Sequence, residues 1–366
     1  MTRLGVSSAL VDGEVVHGDV EIEEGLITSV GVSPAGRTGV AVPGYVDLQV
    51  NGFGDVDFLA ADVDGYRHAG DVLLSTGVTA FQPTLVTSPV EDLVDAIDVV
   101  AKAQPQVRCR VLGAHLEGPF ISPTFKGAHD ERWIIAPDLA VAERLCAGGV
   151  VTTMTMAPEL PGGLDLLRWL LEHDVLVSIG HTDADAATAH EAFDAGARSV
   201  THLHNAQRRF GSRDPGISAV AMTREDVTVE LIPDLVHLSR ESVLLAWRAA
   251  RGRLAVVTDA IAAAPRSTGE FRLGDRTIIV SKDAARLPDG TLAGSVLSMD
   301  KAVRNLIGIG IPWTEAVRAA TTTPARLIGR EDLATLRPRT AADVIVLDDD
   351  FAVTRTLVDG HEMWAC

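Results

Sequence analysis

Four residues of this sequence have side chains suited to chemistry, and all stand at equivalent places, each closing a short apolar run. They are Glu117 in RVLGAHLEGP, His181 in VLVSIGHT, His202 in RSVTHLHN and Asp259 in LAVVTDA. One carboxylate, two imidazoles and a further carboxylate brought together from four strand ends would make a catalytic metal site, with three protein ligands and an open position for water. A lone His at a strand end is ordinarily a hydrogen-bonded structural residue, and the Asp of TDA would serve equally to cap the segment after it. Recurrence at four tips is what favours the ion. His204 shares the face of His202, so spacing leaves open which of the two binds. His115 faces the same way as Glu117 without a necessary role. His68, His173 and His190 fall on helical stretches, and His17 and His361 on terminal strands.

Such convergence needs elements whose ends face one another. From about Pro43 to Ala320, eight short apolar runs (45–50, 79–85, 110–116, 151–158, 175–180, 198–203, 227–232 and 254–259) alternate with helical segments such as SPVEDLVDAIDVVAKA and GGLDLLRWLLEH. Apolar residues in those segments recur at i, i+3, i+4 and i+7. Repeated βα units of this number predict a (β/α)8 TIM-type barrel, an α/β fold whose chemistry sits at the C-terminal strand ends. An open doubly wound sheet is the alternative, but no G-x-G-x-x-G follows an early strand. Both chain ends read differently, as short strands split by D-G and E-G turns (LGVSSALV, EVVHGDVEIE, LITSVG; later DVIVLDD and AVTRTLVDGHEMW). The expected organisation is a small β-sandwich domain built from residues 1–43 and 326–366 around a barrel of residues 44–325.

Composition narrows the partners. The chain has 366 residues, 46% hydrophobic, with 50 Asp+Glu against 32 Lys+Arg and a formal net charge of −18. An acidic surface argues against nucleic acid and anionic membranes, which need basic patches. No run approaches the roughly 18 apolar residues of a membrane span, and MTRLGVSSALVDGEVV lacks the apolar core of a signal peptide. Cys109, Cys146 and Cys366 are widely spaced, so no disulfide framework or thiolate zinc site is indicated and a cytoplasmic setting is expected.

The runs VPGYVDLQVNG, HLEGPF with KGAHD beyond it, IGHTDA, THLHNA followed by GSRDPG, VTDA, and the closing ADVIVLDDDFAV…VDG resemble the amidohydrolase superfamily along essentially the whole chain. Within it they are most similar to the N-acetylglucosamine-6-phosphate deacetylase family. The resemblance implies hydrolysis of the N-acetyl group of that sugar phosphate, in amino-sugar catabolism and cell-wall recycling, by a metal-activated water with Asp259 as general base and acid. Glu117, His181 and His202 match the family's ligand positions, which selects His202 over His204 and implies one divalent ion: zinc foremost, or iron, manganese or cobalt. His129, beside Ala128 in KGAH, matches the residue that contacts the acetamido carbonyl. Asn205, Ala206, Arg213 and His237 match phosphate- and sugar-binding positions, and Leu292, Ala293 and Gly294 a substrate-contacting loop. The family's equivalents of Arg213 and His237 come from the neighbouring subunit, so a homodimer is implied; read without the family, Arg213 would pair with Asp214 or be a solvated loop arginine. Many superfamily members carry H-x-H for a second metal where this chain has Gln49 and Asn51. Amides are weak ligands, so these two are expected beside a single ion.

Two long insertions remain. PFISPTFKGAHDERW reads as a lid carrying His129, and FRLGDRTIIVSKDAARLPDGTLAGS as a hairpin with D-G at its second turn. A deacetylase for the galactosamine epimer, or another amidohydrolase, would share the metal site. A non-catalytic barrel would be expected to have lost ligands, and here all four are present.

Overall fold

The computed structural model describes residues 1–265, 268–282 and 284–366. Its centre is a parallel barrel of β1 (Tyr45–Val50), β2 (Val78–Val86), β3 (Ala114–Glu117), β4 (Val151–Met156), β5 (Leu176–Ile179), β6 (Ser199–Val200), β7 (Thr228–Leu231) and β8 (Leu254–Val256). Each strand pairs in parallel with the next. The ring closes beyond the end of β8, where Val50 bridges Ala260 and the Asp259 N–H reaches the Gln49 carbonyl at 2.8 Å.

Helices clothe this barrel for the reason the periodicity gives. In Val90–Ala103 the buried Leu93, Ala96, Ile97 and Val100 form one stripe. Asp62, Asp138, Asp185 and Ser239 start their helices by accepting free first-turn N–H groups. Inside the barrel a hydroxyl layer ties neighbouring strands: Thr201 Oγ1 lies 2.7 Å from Thr155 Oγ1 and 2.6 Å from Ser178 Oγ. His115 joins it, 2.8 Å from Thr155 Oγ1 and 3.0 Å from the Leu48 carbonyl, which gives this histidine a structural use.

Strands from both termini share a six-stranded sheet in the order 361–365, 353–358, 344–347, 40–43, 8–11, 14–17. A three-stranded sheet of residues 2–3, 19–23 and 26–32 packs on it over Val6, Val20, Ile22, Ile27, Val344 and Leu357. Asp12–Gly13 and Glu24–Gly25 are turns with positive φ at both residues, as the D-G and E-G signals predict. The run EVVHGDVEIE is not one strand but two, in different sheets. Gly18 separates them at φ +122, where a Cβ would stand 2.3 Å from the Gly31 backbone.

The segment after β8 also differs from a simple hairpin. Gly269–Leu273, Arg276–Ser281 and Ala284–Arg286 form an antiparallel sheet, and Asp289–Gly290 turns the chain back so that Arg286 bridges Leu292. D-G thus lies beyond the third strand; Asp283 lies outside the described residues. Leu273, Ile278, Val280 and Ala285 cluster with Ile261 and Ala293, which seats this sheet over the barrel mouth. No helix among the described residues is long and apolar enough to cross a membrane.

Arg110, which leads into β3, joins the barrel to the terminal sheet. It donates to Asp343 at 2.8 and 3.1 Å and to Asp359 at 2.5 Å. The Asp343 side chain is 2% exposed, and removing it takes two charge-assisted bonds from Arg110, which keeps Asp359, and strips the Asp359 N–H of its acceptor. Asp343→Ala is expected to lower the unfolding free energy by about 3 kcal/mol, read as a drop in the urea midpoint; an unchanged midpoint would mean the pair contributes nothing at this seam.

Candidate metal centre and cavity

The strand tips bend sharply. His181, His202, His204, Ala206 and Asp259 all adopt positive φ, between 32° and 71°, a conformation costly for non-glycine residues and concentrated at functional sites. It ends β6 at Val200, short of the expected 203, and turns the side chains of His181 and His202 inward.

There they meet Glu117. Its Oε1 lies 3.0 Å from His181 Nε2 and 3.0 Å from His202 Nε2, and the two ring nitrogens are 3.1 Å apart. The residues are 3%, 4% and 3% exposed. His181 Nδ1 sits 2.9 Å from the Phe125 carbonyl, so it carries the proton and Nε2 presents a lone pair. Electron-pair donors facing one another at this spacing repel unless a cation lies among them. Burial opposes a charge on His202, yet Glu117 beside it pushes the imidazole up to about 9, and it takes a proton; a divalent ion would displace that proton. Donors on a transition metal at about 2.05 Å are about 2.9 Å apart at right angles and about 3.3 Å apart in a tetrahedron, which brackets the observed separations.

A fourth side chain competes for this role. Glu117, His129 and His181 also lie close enough to share an ion, but His129 Nε2 is 3.7 Å from the other carboxylate oxygen, Oε2. The shorter distances favour His202, and His129 stands beside the cluster. Burial pushes His129 down to about 3, so it is neutral, and its Nδ1 has no partner among the described residues.

Asp259 completes the group. Asn51 Nδ2 donates to its Oδ1 at 2.7 Å, and Gln49 Nε2 lies between Asp259 Oδ1 at 3.4 Å and Glu117 Oε1 at 3.0 Å. The two amides point their N–H groups at the carboxylates, an arrangement that steadies negative charge. Burial, then the Glu117 charge, pushes Asp259 up to about 6.

A cavity of about 380 Å³ opens over these residues, and Asn51, Ala128, His129, Asn205, Ala206, His237, Leu292 and Gly294 all line it. Gln49 and Ala293 are fully buried beneath or behind its wall. The expected lid is tied down: Phe120 and Ile121 are buried, and the Ser122 N–H bonds the His181 carbonyl at 2.8 Å.

Two expectations need correcting. His237 lines the cavity of its own chain rather than a neighbour's, because Asp234 clamps its Nδ1 at 2.7 Å and its N–H at 2.8 Å just beyond β7. Of Asn205 and Ala206, the former's N–H bonds the His202 carbonyl at 3.0 Å, which leaves the Ala206 N–H as the freer of these two. Arg213 is exposed and outside the cavity. It does not pair with Asp214, which Arg208 takes at 2.6 Å. The sequence reading missed His204, Arg276 and Arg286 as wall residues; the two arginines come from the inserted sheet, whose docking no local pattern reveals.

His202→Ala is expected to lose its divalent ion on dialysis while His129→Ala keeps it, measured as metal per chain; the reverse result would exchange their roles.

Residues 40–363 match the Amidohydrolase family. The chain is 36% identical over 350 residues to N-acetylglucosamine-6-phosphate deacetylase of Bos taurus, covering 89% of this chain and 83% of that one. It is 30% identical over 373 residues to the Bacillus subtilis enzyme of the same name, covering 96% and 94%. The solved deacetylase of Thermotoga maritima superposes with a TM-score of 0.93 at 31% identity, covering 100% of both chains. An aspartate-to-alanine mutant of the Mycobacterium smegmatis deacetylase, solved with N-acetyl-D-glucosamine-6-phosphate, matches with a TM-score of 0.93 at 32% identity over 98% of each chain. With the family matched over residues 40–363 and relatives at 30–36% identity over most of its length, the chain belongs to the amidohydrolase family, among the relatives of the N-acetylglucosamine-6-phosphate deacetylases.

Proposed function

We propose that the chain hydrolyses the acetamide of N-acetylglucosamine-6-phosphate, giving glucosamine-6-phosphate and acetate. The observation that carries this reading is Asp259 standing beside the Glu117, His181 and His202 cluster, within a cavity whose wall holds an unpartnered neutral His129. At about 380 Å³ the cavity is near the lower end of the range for small-molecule sites, about 300–1,000 Å³, which suits a single sugar unit.

Glu117, His181 and His202 would hold one divalent ion. When bound, it supplies an acidified water and polarises the acetyl carbonyl. Asp259 takes the proton of the attacking water and returns it to the departing amine; raised to about 6 by burial, it is a base at neutral pH that still surrenders a proton readily. Asn51 and Gln49 hold its carboxylate in place. His129 donates to the carbonyl oxygen as negative charge develops there.

The phosphate is met by the Ala206 N–H and the His237 ring from the same chain. Arg213, exposed and without a carboxylate partner among the described residues, is read as serving the neighbouring site of a homodimer, where its planar fork suits phosphate. Three free thiols support a reducing, cytoplasmic setting.

Asp259→Asn is expected to keep its metal content while kcat falls by about 10²–10⁴-fold; near-normal acetate release would remove Asp259 from the mechanism. Wild type should deacetylate the 6-phosphate far faster than N-acetylglucosamine itself. Mixing Arg213→Ala with Asp259→Asn under subunit exchange should restore part of the lost activity, because one hybrid site holds both wild-type residues. A mixture no more active than its parents sinks the shared-site reading.

A further inference from the structure

Glu230 takes no part in the chemistry above, yet it is the most conspicuous buried acid below the site. It lies on β7 at 2% exposure. Its Oε1 accepts the Ser199 hydroxyl at 2.9 Å, and its Oε2 has no partner among the described residues. An unsatisfied buried carboxylate oxygen is expensive, and burial accordingly pushes the group up to about 7.

A complementary unsatisfied atom lies on the neighbouring strand. His202 is also buried, and its Nδ1 lacks a partner among the described residues. β6 and β7 are in register at Ser199 with Thr228 and Val200 with Val229, and the Leu203 N–H closes on the Glu230 carbonyl at 2.8 Å. Glu230 on β7 and His202, two residues beyond β6, thus stand on neighbouring segments of the barrel, near enough for each charge to act on the other. Gln49 and Asn51, whose carbonyl oxygens are also unpartnered, already face Glu117 and Asp259. His181 shows what His202 needs: its Nδ1 is held by the Phe125 carbonyl, which fixes the lone pair of Nε2.

We propose that Glu230 is the positioning residue of the metal centre for His202. It takes the Nδ1–H through one buried water, neither atom having a direct partner, and so holds the tautomer in which Nε2 faces Glu117 and His181. A carboxylate in this place raises the basicity of a ligating imidazole. The inference rests on Glu117, His181 and His202 being the ligands.

The test reads metal binding, not turnover: chelator competition for Zn²⁺, and the visible spectrum of Co²⁺-loaded protein, in wild type, Glu230→Gln and Glu230→Leu. The Gln variant keeps an acceptor and should stay within about threefold of wild type, whereas Leu should weaken affinity about 10–100-fold and shift the Co²⁺ bands. The metal-free Leu variant should melt within a few degrees of wild type, since the Ser199 hydroxyl loses its acceptor while an unsatisfied buried acid oxygen is removed with it. If Leu does not fold, Glu230→Ala repeats the measurement without added bulk. Wild-type affinity in the Leu or Ala variant overturns the proposal, as does a loss that Gln shares in full. A wild-type chain that binds no divalent ion fails the ligand set instead.

Discussion

Three electron-pair donors held at 3.0–3.1 Å from one another are the constraint on which the rest of this structure depends. Left to themselves they would move apart, so the fold must hold them together. It does so by anchoring Glu117 at the end of a hydrogen-bonded strand, with Thr87 Oγ1 on its carbonyl at 2.8 Å, and by forcing both histidines into left-handed backbone conformations. The same crowding gives the site its affinity for positive charge. The acid outside the cluster, Asp259, is held by hydrogen bonds from two uncharged amides.

The polar interior of the barrel is the other half of this design. Barrel cores are ordinarily layers of bulky aliphatic side chains, but beneath this site lie Thr155, Ser178, Thr201, His115, Asp47 and Thr258. Asp47 accepts the Thr258 hydroxyl at 2.6 Å and the Thr258 N–H at 3.2 Å, which joins β1 to the segment carrying Asp259. Burial pushes Asp47 up to about 7; its hydrogen bonds offset part of that cost. The short hydroxyl contacts crosslink successive strands without relying on bulk, so the ends above them are held to hydrogen-bond precision.

Much of this was legible because the signals were local. Strand periodicity and the ending of each apolar run located Glu117, His181, His202 and Asp259, and turn chemistry located both ends of the 14–23 segment. The division at Gly18 was not legible, because it depends on the close approach of Gly31 from another strand. His237 was placed on the wrong chain: the clamp by Asp234 spans only three residues, but its direction depends on where β7 ends. Arg276 and Arg286 were missed because they reach the cavity only through the apolar seat formed by Leu273, Ile278 and Ala285. Ligand chemistry is written in motifs, whereas walls are written in packing.

The shared terminal sheet has a consequence for how the chain is made. Residues 40–43 pair on one side with 8–11 and on the other with 344–347, so during synthesis the second pairing edge stays open until the barrel has emerged. An uncovered edge invites association with other chains, and contacts so distant in sequence form slowly. The N-terminal strands therefore wait as an unfinished seam while the barrel folds, and a ribosome that stalls before Val344 leaves a chain with all four strand-tip residues in hand and an unpaired edge.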